Sequence, residues 1–383
     1  MNKKKIVCYW SPFISNVATV KAVINSALSV NKYSDQKFES LIIDVFGEWK
    51  TNVDSKIYKL KFYNLNHIKQ LFIFSSEGFL KSRLKYVIVF LTSFISLKKF
   101  LEKEKPEFLI IHLITSLPLL LNLIYKFETK IILRISGKPR MNIIRFLFWK
   151  FALKKVYKIT FPTEESLEYF KNLRIIDENK LQLLLDPVFI INDISKKKES
   201  LNIPNLKKDN YFLAIGRLTK QKNFIFLVKC FIKLAKKHSN IKLAIIGIGE
   251  DKEKINRLIK ANNLEENILL LGYQKNVFKY LKNCSAFILS SLWEDPGFVL
   301  IEAMVSDSIV LSSNCSNGPK EIIGNKNGLL FQSNSELDFI SKFNNLMNLS
   351  DIEKDDLRLN AKKKIRDYSI FSHYQKLQKL LND

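Results

Sequence analysis

Short apolar, β-branched runs alternate with amphipathic helical stretches twice along this chain, and a polar stretch separates the two series. A continuous apolar run suits a parallel strand buried on both faces, and the helices between such strands cover those faces. In the first series Lys5–Trp10, Glu39–Val45, Phe108–His112, Lys130–Ile135 and Lys158–Phe161 read as strands. Val17–Leu28, Phe79–Lys103, Leu117–Phe127 and Met141–Lys154 read as the helices between them. Ile191–Asp209, with Lys196-Lys197-Lys198 and Pro204, reads as a linker. In the second series Tyr211–Ile215, Lys242–Ile246, Ile268–Leu271, Ala286–Leu289 and Ile309–Ser312 are the expected strands, and Phe224–Lys237, Lys252–Asn262, Val277–Leu281 and Leu300–Val305 the expected helices. The tail, Asp351–Asp383, reads as helix. The expectation is an α/β protein of two doubly wound, Rossmann-like domains.

Length agrees: 383 residues with 47% hydrophobic content exceed one ordinary core and suit two. The net charge of +25 admits three readings: nucleic-acid binding, adhesion to an anionic membrane, or the lysine-rich composition of an AT-rich genome. Nine of the 62 basic residues are Arg, and base readout and single-strand stacking favour Arg, so nucleic acid is not expected as a partner. Cys8, Cys230, Cys284 and Cys315 have neither disulfide nor zinc spacing and read as buried small hydrophobes in a reducing compartment. The apolar stretch after Met1–Lys5 is cut off by Ser11-Pro12, too early for a signal peptide. The longest apolar run, Tyr86–Leu97, is shorter than the ~20 residues a bilayer span needs.

Eight of the eleven glycines lie between Gly216 and Gly328, so the second half is the better candidate for handling phosphate. Its sharpest element runs from Glu294 through Asp295-Pro296-Gly297-Phe298-Val299-Leu300-Ile301 to Glu302-Ala303. Two carboxylates flank a Gly-bearing turn that opens a helix, whose N-terminus suits an anion. Glu302 can accept from two ribose hydroxyls and Glu294 can reach a sugar hydroxyl; taken alone, the pair fits a capping carboxylate and a solvated Glu better. Gly216-Arg217-Leu218 with Lys222 follows a strand, and an Arg fork with a Lys point charge suits a diphosphate. Gly247-Ile248-Gly249 lacks the third glycine of the dinucleotide fingerprint and by itself reads as a simple strand-to-helix turn. Ser316-Asn317-Gly318-Pro319-Lys320-Glu321 by itself reads as a cap.

In this order, with Leu271-Gly272-Tyr273, Leu289-Ser290-Ser291, Glu302-Ala303-Met304 and Gly328–Phe331 in register, these pieces resemble the donor-binding half of the family-4 glycosyltransferases, of the group 1 type and GT-B fold. The resemblance runs from about Tyr211 to Phe331. It implies two Rossmann-like domains facing a central cleft: residues 1–190 bind the acceptor, 191–209 link, 210–365 bind a nucleotide-sugar donor, and the helix 366–383 returns toward the first domain. By the same resemblance Arg217 and Lys222 bind the donor diphosphate and Glu302 the ribose. Glu294 and the backbone of Gly297, Phe298, Val299 and Leu300 hold the transferred sugar and phosphate. Gly216 and Gly247 shape the donor site, the Gly272–Lys275 loop with Tyr273 lies near the base, and His112 lies near the transferred sugar. Catalysis is expected to fall to His112, Glu294, Arg217 and Lys222, with retention of configuration. A buried His satisfied by backbone, and Glu294 acting as a glycosidase-type nucleophile, are the competing readings of two of these residues.

The N-terminal half matches less tightly. Ser136-Gly137 and Phe161-Pro162-Thr163 fit the family's layout, but Ser11–Thr19 contains no Gly where many members have a Gly-rich loop, leaving Asn16 or Thr19 to substitute. No cofactor is expected beyond the nucleotide-diphosphate sugar as co-substrate. No metal is expected either, because the chain contains no Asp-x-Asp. The expected acceptor is a glycan or a lipid-linked one, in capsule, lipopolysaccharide or similar cell-surface polysaccharide synthesis. A nucleotide-sugar epimerase, a sugar phosphorylase and a non-catalytic glycan- or nucleic-acid-binding protein are the alternatives. Basic residues flanking apolar ones in Leu80–Lys99 and Arg145–Lys155 suggest interfacial helices, hence a cytoplasmic protein peripheral to an anionic membrane.

Overall fold

The computed structural model describes residues 4–13, 18–49, 59–66, 79–139, 141–190, 206–238 and 240–383. Asn16 and most of the expected linker lie outside them, as do the side chains of Leu80–Arg83. The chain divides into two compact units, one of residues 1–188 with 370–383, the other of residues 189–369.

Unit 1 holds seven parallel strands: β1 (Lys5–Trp10), β2 (Phe38–Asp44), β3 (Lys61–Asn64), β4 (Phe108–Ile111), β5 (Lys130–Arg134), β6 (Lys158–Phe161) and β7 (Leu181–Leu183). Their order is β3-β2-β1-β4-β5-β6-β7. All four positions of β4 are buried, which is why it reads as an unbroken apolar run. Alternate residues serve opposite faces: Cys8, Trp10, Leu109, Ile111 and Leu133 enter one core, and Val7, Tyr9, Phe108, Ile110 and Ile132 the other.

Helices α2 (Phe79–Glu104), α3 (Ser116–Ile124), α4 (Ile143–Ala152) and α5 (Glu164–Leu173) pack on the first face through Leu97, Leu117, Trp149 and Phe170. The second face is covered by α1 (Ala18–Tyr33) and by a helix from far along the chain, α13 (Ile370–Asn382), through Val23, Ala27, Tyr374, Leu377 and Leu381. His373 fixes α13 in place: Nδ1 lies 2.8 Å from the Leu185 carbonyl and Nε2 2.9 Å from Ser26 Oγ. Burial is the main cause that lowers His373 to about 4, so the imidazole is neutral there.

Unit 2 holds six parallel strands: β8 (Phe212–Ile215), β9 (Leu243–Ile246), β10 (Ile268–Leu270), β11 (Ala286–Leu289), β12 (Val310–Ser313) and β13 (Leu329–Phe331). Their order is β10-β9-β8-β11-β12-β13. The helices are α6 (Phe224–Lys237), α7 (Lys252–Lys260), α8 (Phe278–Asn283), α9 (Phe298–Val305), α10 (Pro319–Ile323), α11 (Glu336–Met347) and α12 (Asp351–Ile365). Ser350 and Glu353 form a reciprocal capping box that starts α12.

Four elements had no counterpart among the runs and motifs read from the sequence: β3, β7, α5 and α11. The tail read as one helix is two, broken by a tight turn at Arg366–Tyr368. All four cysteines are buried and free, and burial pushes Cys230, Cys284 and Cys315 up to about 12. Among the described residues no helix is long and apolar enough to cross a membrane.

Candidate active site

In an open parallel sheet, ligands bind beyond the carboxyl ends of the strands, where the strand order reverses. In unit 2 that point lies between β8 and β11. The loop after β8 carries Gly216, Arg217 and Lys222, and the loop after β11 carries Ser291 and Glu294. Lys222 Nζ lies 2.6 Å from Glu294 Oε1, and Ser291 Oγ donates to the same oxygen at 2.5 Å. Glu294 is 5% exposed and the Lys222 side chain 13%, so this ion pair is largely desolvated.

The two loops are stitched together around it. Leu292 N donates to the Gln221 carbonyl at 2.8 Å, Gln221 Nε2 to the Trp293 carbonyl at 3.0 Å, and Arg217 Nη2 to Gln221 Oε1 at 3.1 Å. Ser290 Oγ donates to the Lys222 carbonyl at 2.8 Å. Arg217 thus stands exposed on the turn that ends at half-buried Lys222.

Two glycines make the close approaches possible. A Cβ on Gly247 (φ +152°) would stand 1.8 Å from the Gly216 carbonyl oxygen, so the loops after β9 and β8 touch backbone to backbone. A Cβ on Gly318 (φ +132°) would stand 2.0 Å from the Pro296 carbonyl oxygen. Glu294 N donates to the Ser316 carbonyl at 3.2 Å, and the Asn317 side chain donates to Asp295. The segment read as a cap therefore buttresses the Glu294 turn.

Helix α9 begins at Phe298 behind Gly297, which has no side chain to cap it. Phe298 and Leu300 are buried and Val299 half-buried. Glu302 lies on this helix half-buried. Tyr273 is 70% exposed, in the loop after β10, joined to the rest where Gly247 N donates to the Gly272 carbonyl at 2.8 Å. The structure thus brings Gly216, Arg217, Lys222, Gly247 and Glu294 together through direct contacts.

In unit 1 the corresponding reversal lies between β1 and β4, and His112 follows β4 directly. It is 9% exposed, and neither ring nitrogen has a hydrogen-bond partner. Burial holds it well below the ordinary histidine range, and the nearby Arg134 guanidinium acts the same way. The reading of a buried histidine satisfied by backbone is therefore not met by its ring. Beside it Arg134 forms a buried pair with Asp186, through Nε to Oδ1 at 2.9 Å and through Nη2 to Oδ2. Its Nη1 donates to Ser136. His112, Arg134, Ser136, Arg145, Phe148 and Trp149 are among the residues that line a groove of ≈ 570 Å³.

Sequence reasoning found Lys222 and Glu294 separately but not as a pair, and it missed Ser291 and Asn317 as their supports. It also missed Arg134, although Arg134, like Arg217, stands at the carboxyl end of a strand.

Residues 195–365 match the family model described as glycosyl transferases group 1. Over 80% of its length the chain is 32% identical to an uncharacterized glycosyltransferase of Methanocaldococcus jannaschii, and it spans 76% of that protein. This chain is a group 1 glycosyltransferase. The glycosyltransferase is also 28% identical, over 62% of its length and 65% of the relative's, to a Campylobacter jejuni enzyme. That enzyme is named N-acetylgalactosamine-N,N'-diacetylbacillosaminyl-diphospho-undecaprenol 4-alpha-N-acetylgalactosaminyltransferase. In fold it is similar to Anabaena HepE in complex with UDP and glucose, with a TM-score of 0.73, 15% identity and 99% of each chain covered. The architecture is GT-B, with two Rossmann-like domains.

Proposed function

We propose that this glycosyltransferase transfers a sugar from a nucleoside-diphosphate sugar, with retention, to a glycan or lipid-linked acceptor in cell-surface polysaccharide synthesis. The carrying observation is the desolvated Lys222–Glu294 pair at the strand-order reversal of unit 2, beside exposed Arg217 and the uncapped start of α9. Lys222, Arg217 and that helix start receive the diphosphate and stabilise its charge as it departs. Glu294 positions a sugar hydroxyl, Glu302 takes the ribose, the Gly297–Leu300 backbone holds sugar and phosphate, and Tyr273 lies near the base. His112, at the strand-order reversal of unit 1, offers its two unpartnered ring nitrogens to sugar hydroxyls. The acceptor hydroxyl attacks the anomeric carbon on the face the diphosphate leaves, and its proton passes to the departing phosphate oxygen. Engagement of Glu294 Oε1 by an ammonium and a hydroxyl favours positioning over attack as a nucleophile. The names of relatives support the acceptor class: the Campylobacter enzyme carries diphospho-undecaprenol in its name, and a Staphylococcus aureus relative is a poly(ribitol-phosphate) alpha-N-acetylglucosaminyltransferase.

The test is a panel of nucleotide sugars incubated with the protein, with and without excess EDTA, and mass-spectrometric detection of free nucleoside diphosphate. One donor should release it at a rate the chelator leaves unchanged, because Arg217, Lys222 and a helix start supply the positive charge. Loss of turnover in EDTA with rescue by magnesium or manganese overturns metal independence. Isomerised donor without nucleotide release overturns the transferase chemistry.

Glu302→Gln should weaken binding of that nucleoside diphosphate by about 1–3 kcal/mol, the cost of charge-assisted bonds to two hydroxyls. Calorimetric titration reads it directly, and unaltered affinity in a folded variant removes Glu302 from the ribose.

The proposed location is the surface of an anionic membrane. On α4, Ile143, Ile144, Leu147 and Phe151 are exposed beside Arg145 and Lys150, and Lys154 and Lys155 follow in the next turn. Helix α2 exposes Leu84, Val87, Leu91 and Ile95. Each cation near an anionic surface adds about 1 kcal/mol. The protein should sediment with anionic vesicles, remain in solution with neutral ones, and detach as salt rises. Equal recovery in both supernatants at low salt rules out docking.

A further inference from the structure

We infer that one buried water molecule joins a ring nitrogen of His112 to Thr160, and that Thr160 positions the imidazole through this water. The inference rests on the transferase reading and adds a positioning residue to it.

The sheet register brings the two residues near each other. Ile111 faces Leu133, and Arg134 faces Thr160, so His112, Arg134 and Thr160 continue one row across the carboxyl ends of β4, β5 and β6. Alternation turns that row toward the face that Ile110 and Ile132 share with α1 and α13. There Ser26, His112, Arg134, Thr160, Asp186 and His373 line a cavity of ≈ 10 Å³, about the room one water needs. All six are buried. Most of their polar groups have protein partners. Ser26 Oγ is bonded to His373 Nε2 at 2.9 Å and to the Tyr9 hydroxyl at 3.0 Å. Arg134 donates to Asp186 and Ser136.

Thr160 Oγ1 and the two ring nitrogens of His112 are the cavity's buried side-chain atoms with no hydrogen-bond partner among the described residues. Leaving a buried hydroxyl and a buried imidazole nitrogen unbonded is costly, and one water meets both needs. A second lone pair on an Asp186 oxygen gives that water a third partner. His112 and Arg134 also line the open groove, so the imidazole stands between cavity and groove. Water takes one of its two nitrogens and leaves the other for a sugar hydroxyl. Burial keeps the ring neutral, so one nitrogen carries a proton and the other does not. The bond made by the inner nitrogen then decides which form faces the sugar. His373 on the returning helix α13 completes the wall of this cavity.

The test compares the full chain with Thr160→Val, which removes the hydroxyl at nearly the same shape, and with Thr160→Ser, which keeps it. Nitrogen-15 NMR of protein labelled at its four histidines reads the tautomer, and His112→Gln identifies the signals. The unaltered chain should show one protonated and one bare ring nitrogen at His112. Thr160→Val should draw both toward intermediate shifts, and Thr160→Ser should restore the separation. Turnover on the donor found in the nucleotide-sugar panel should fall at least about tenfold in Thr160→Val, at unchanged donor KM, and recover in Thr160→Ser. A crystal structure that resolves waters should show one within hydrogen-bond distance of both Thr160 Oγ1 and a His112 nitrogen. A dry cavity, or a direct bond between the two side chains, overturns the water. A tautomer indifferent to Thr160→Val, or full turnover in that variant, overturns the positioning. Either failure alongside donor turnover leaves the transferase reading standing. A tautomer that follows Thr160 with no nucleoside diphosphate released from any donor removes that reading and keeps the water.

Discussion

Alanine at position 247 should cost unit 2 at least about 3 kcal/mol, because a methyl group placed against backbone cannot be accommodated by a side-chain rotation. Its Cβ would lie 1.8 Å from the Gly216 carbonyl oxygen, and the residue's φ of +152° is one that L side chains rarely adopt. Relief requires the loops after β8 and β9 to separate, which breaks the bond from Gly216 N to the Ile246 carbonyl or the one from Leu218 N to the Ile248 carbonyl. Gly272→Ala is the matched control: φ is +64°, nothing lies within 4 Å, and the expected cost is about 1 kcal/mol. Urea unfolding of both variants measures the difference, which should appear in the midpoint with the slope unchanged. Equal stabilities would mean that the two loops do not meet at this distance.

Glu294→Gln should lower turnover by 10²-fold or more, roughly the loss of one preorganised electrostatic contact, and should also destabilise unit 2. The second effect comes from Lys222, left in a largely desolvated place without its counter-charge. Removing one member of a buried pair costs about 3 kcal/mol, less where the remaining charge can reach water. The double variant Glu294→Gln with Lys222→Met separates the two roles. It should regain much of the stability, since no charge is stranded, and none of the turnover. A single variant with full turnover would leave the pair a purely structural link between the β8 and β11 loops.

The parallel architecture was legible because both faces of each sheet are covered, so central strands such as β4, β9 and β11 appear as unbroken apolar runs. The elements that escaped are those with weaker signatures. β3 reads Lys-Phe-Tyr-Asn, exposed or half-buried at every position because it is an edge strand. α5 is short, and its start depends on Thr163 accepting from Ser166 N, a cap whose hydroxyl is indistinguishable in sequence from any loop threonine. The donor-side residues were legible as an ordered set, since strand-to-helix turns recur at fixed places. What the set could not convey was contact: residues 222 and 294 meet only because β8 and β11 become neighbours where the strand order reverses. His112 was found for its place at a strand end, whereas the unmet valences of its ring follow from the packing of Tyr9, Arg134 and His373 around it.

The returning helix α13 makes completion of unit 1 a late event in synthesis. Ser26 and His373 are bonded across 347 residues, and Tyr374, Leu377 and Leu381 fill a core begun by Val7 and Tyr9. A ribosome makes every strand of unit 1 long before it makes the helix that seals one face of the sheet, and all of unit 2 comes between. Unit 2 is a single continuous stretch and needs nothing from downstream to close its own core. During translation the downstream unit is therefore the one able to finish first, while the upstream sheet waits with the α13 side of Val7, Tyr9 and Ile110 uncovered, open to chaperones and to wrong partners until residues 370–382 emerge.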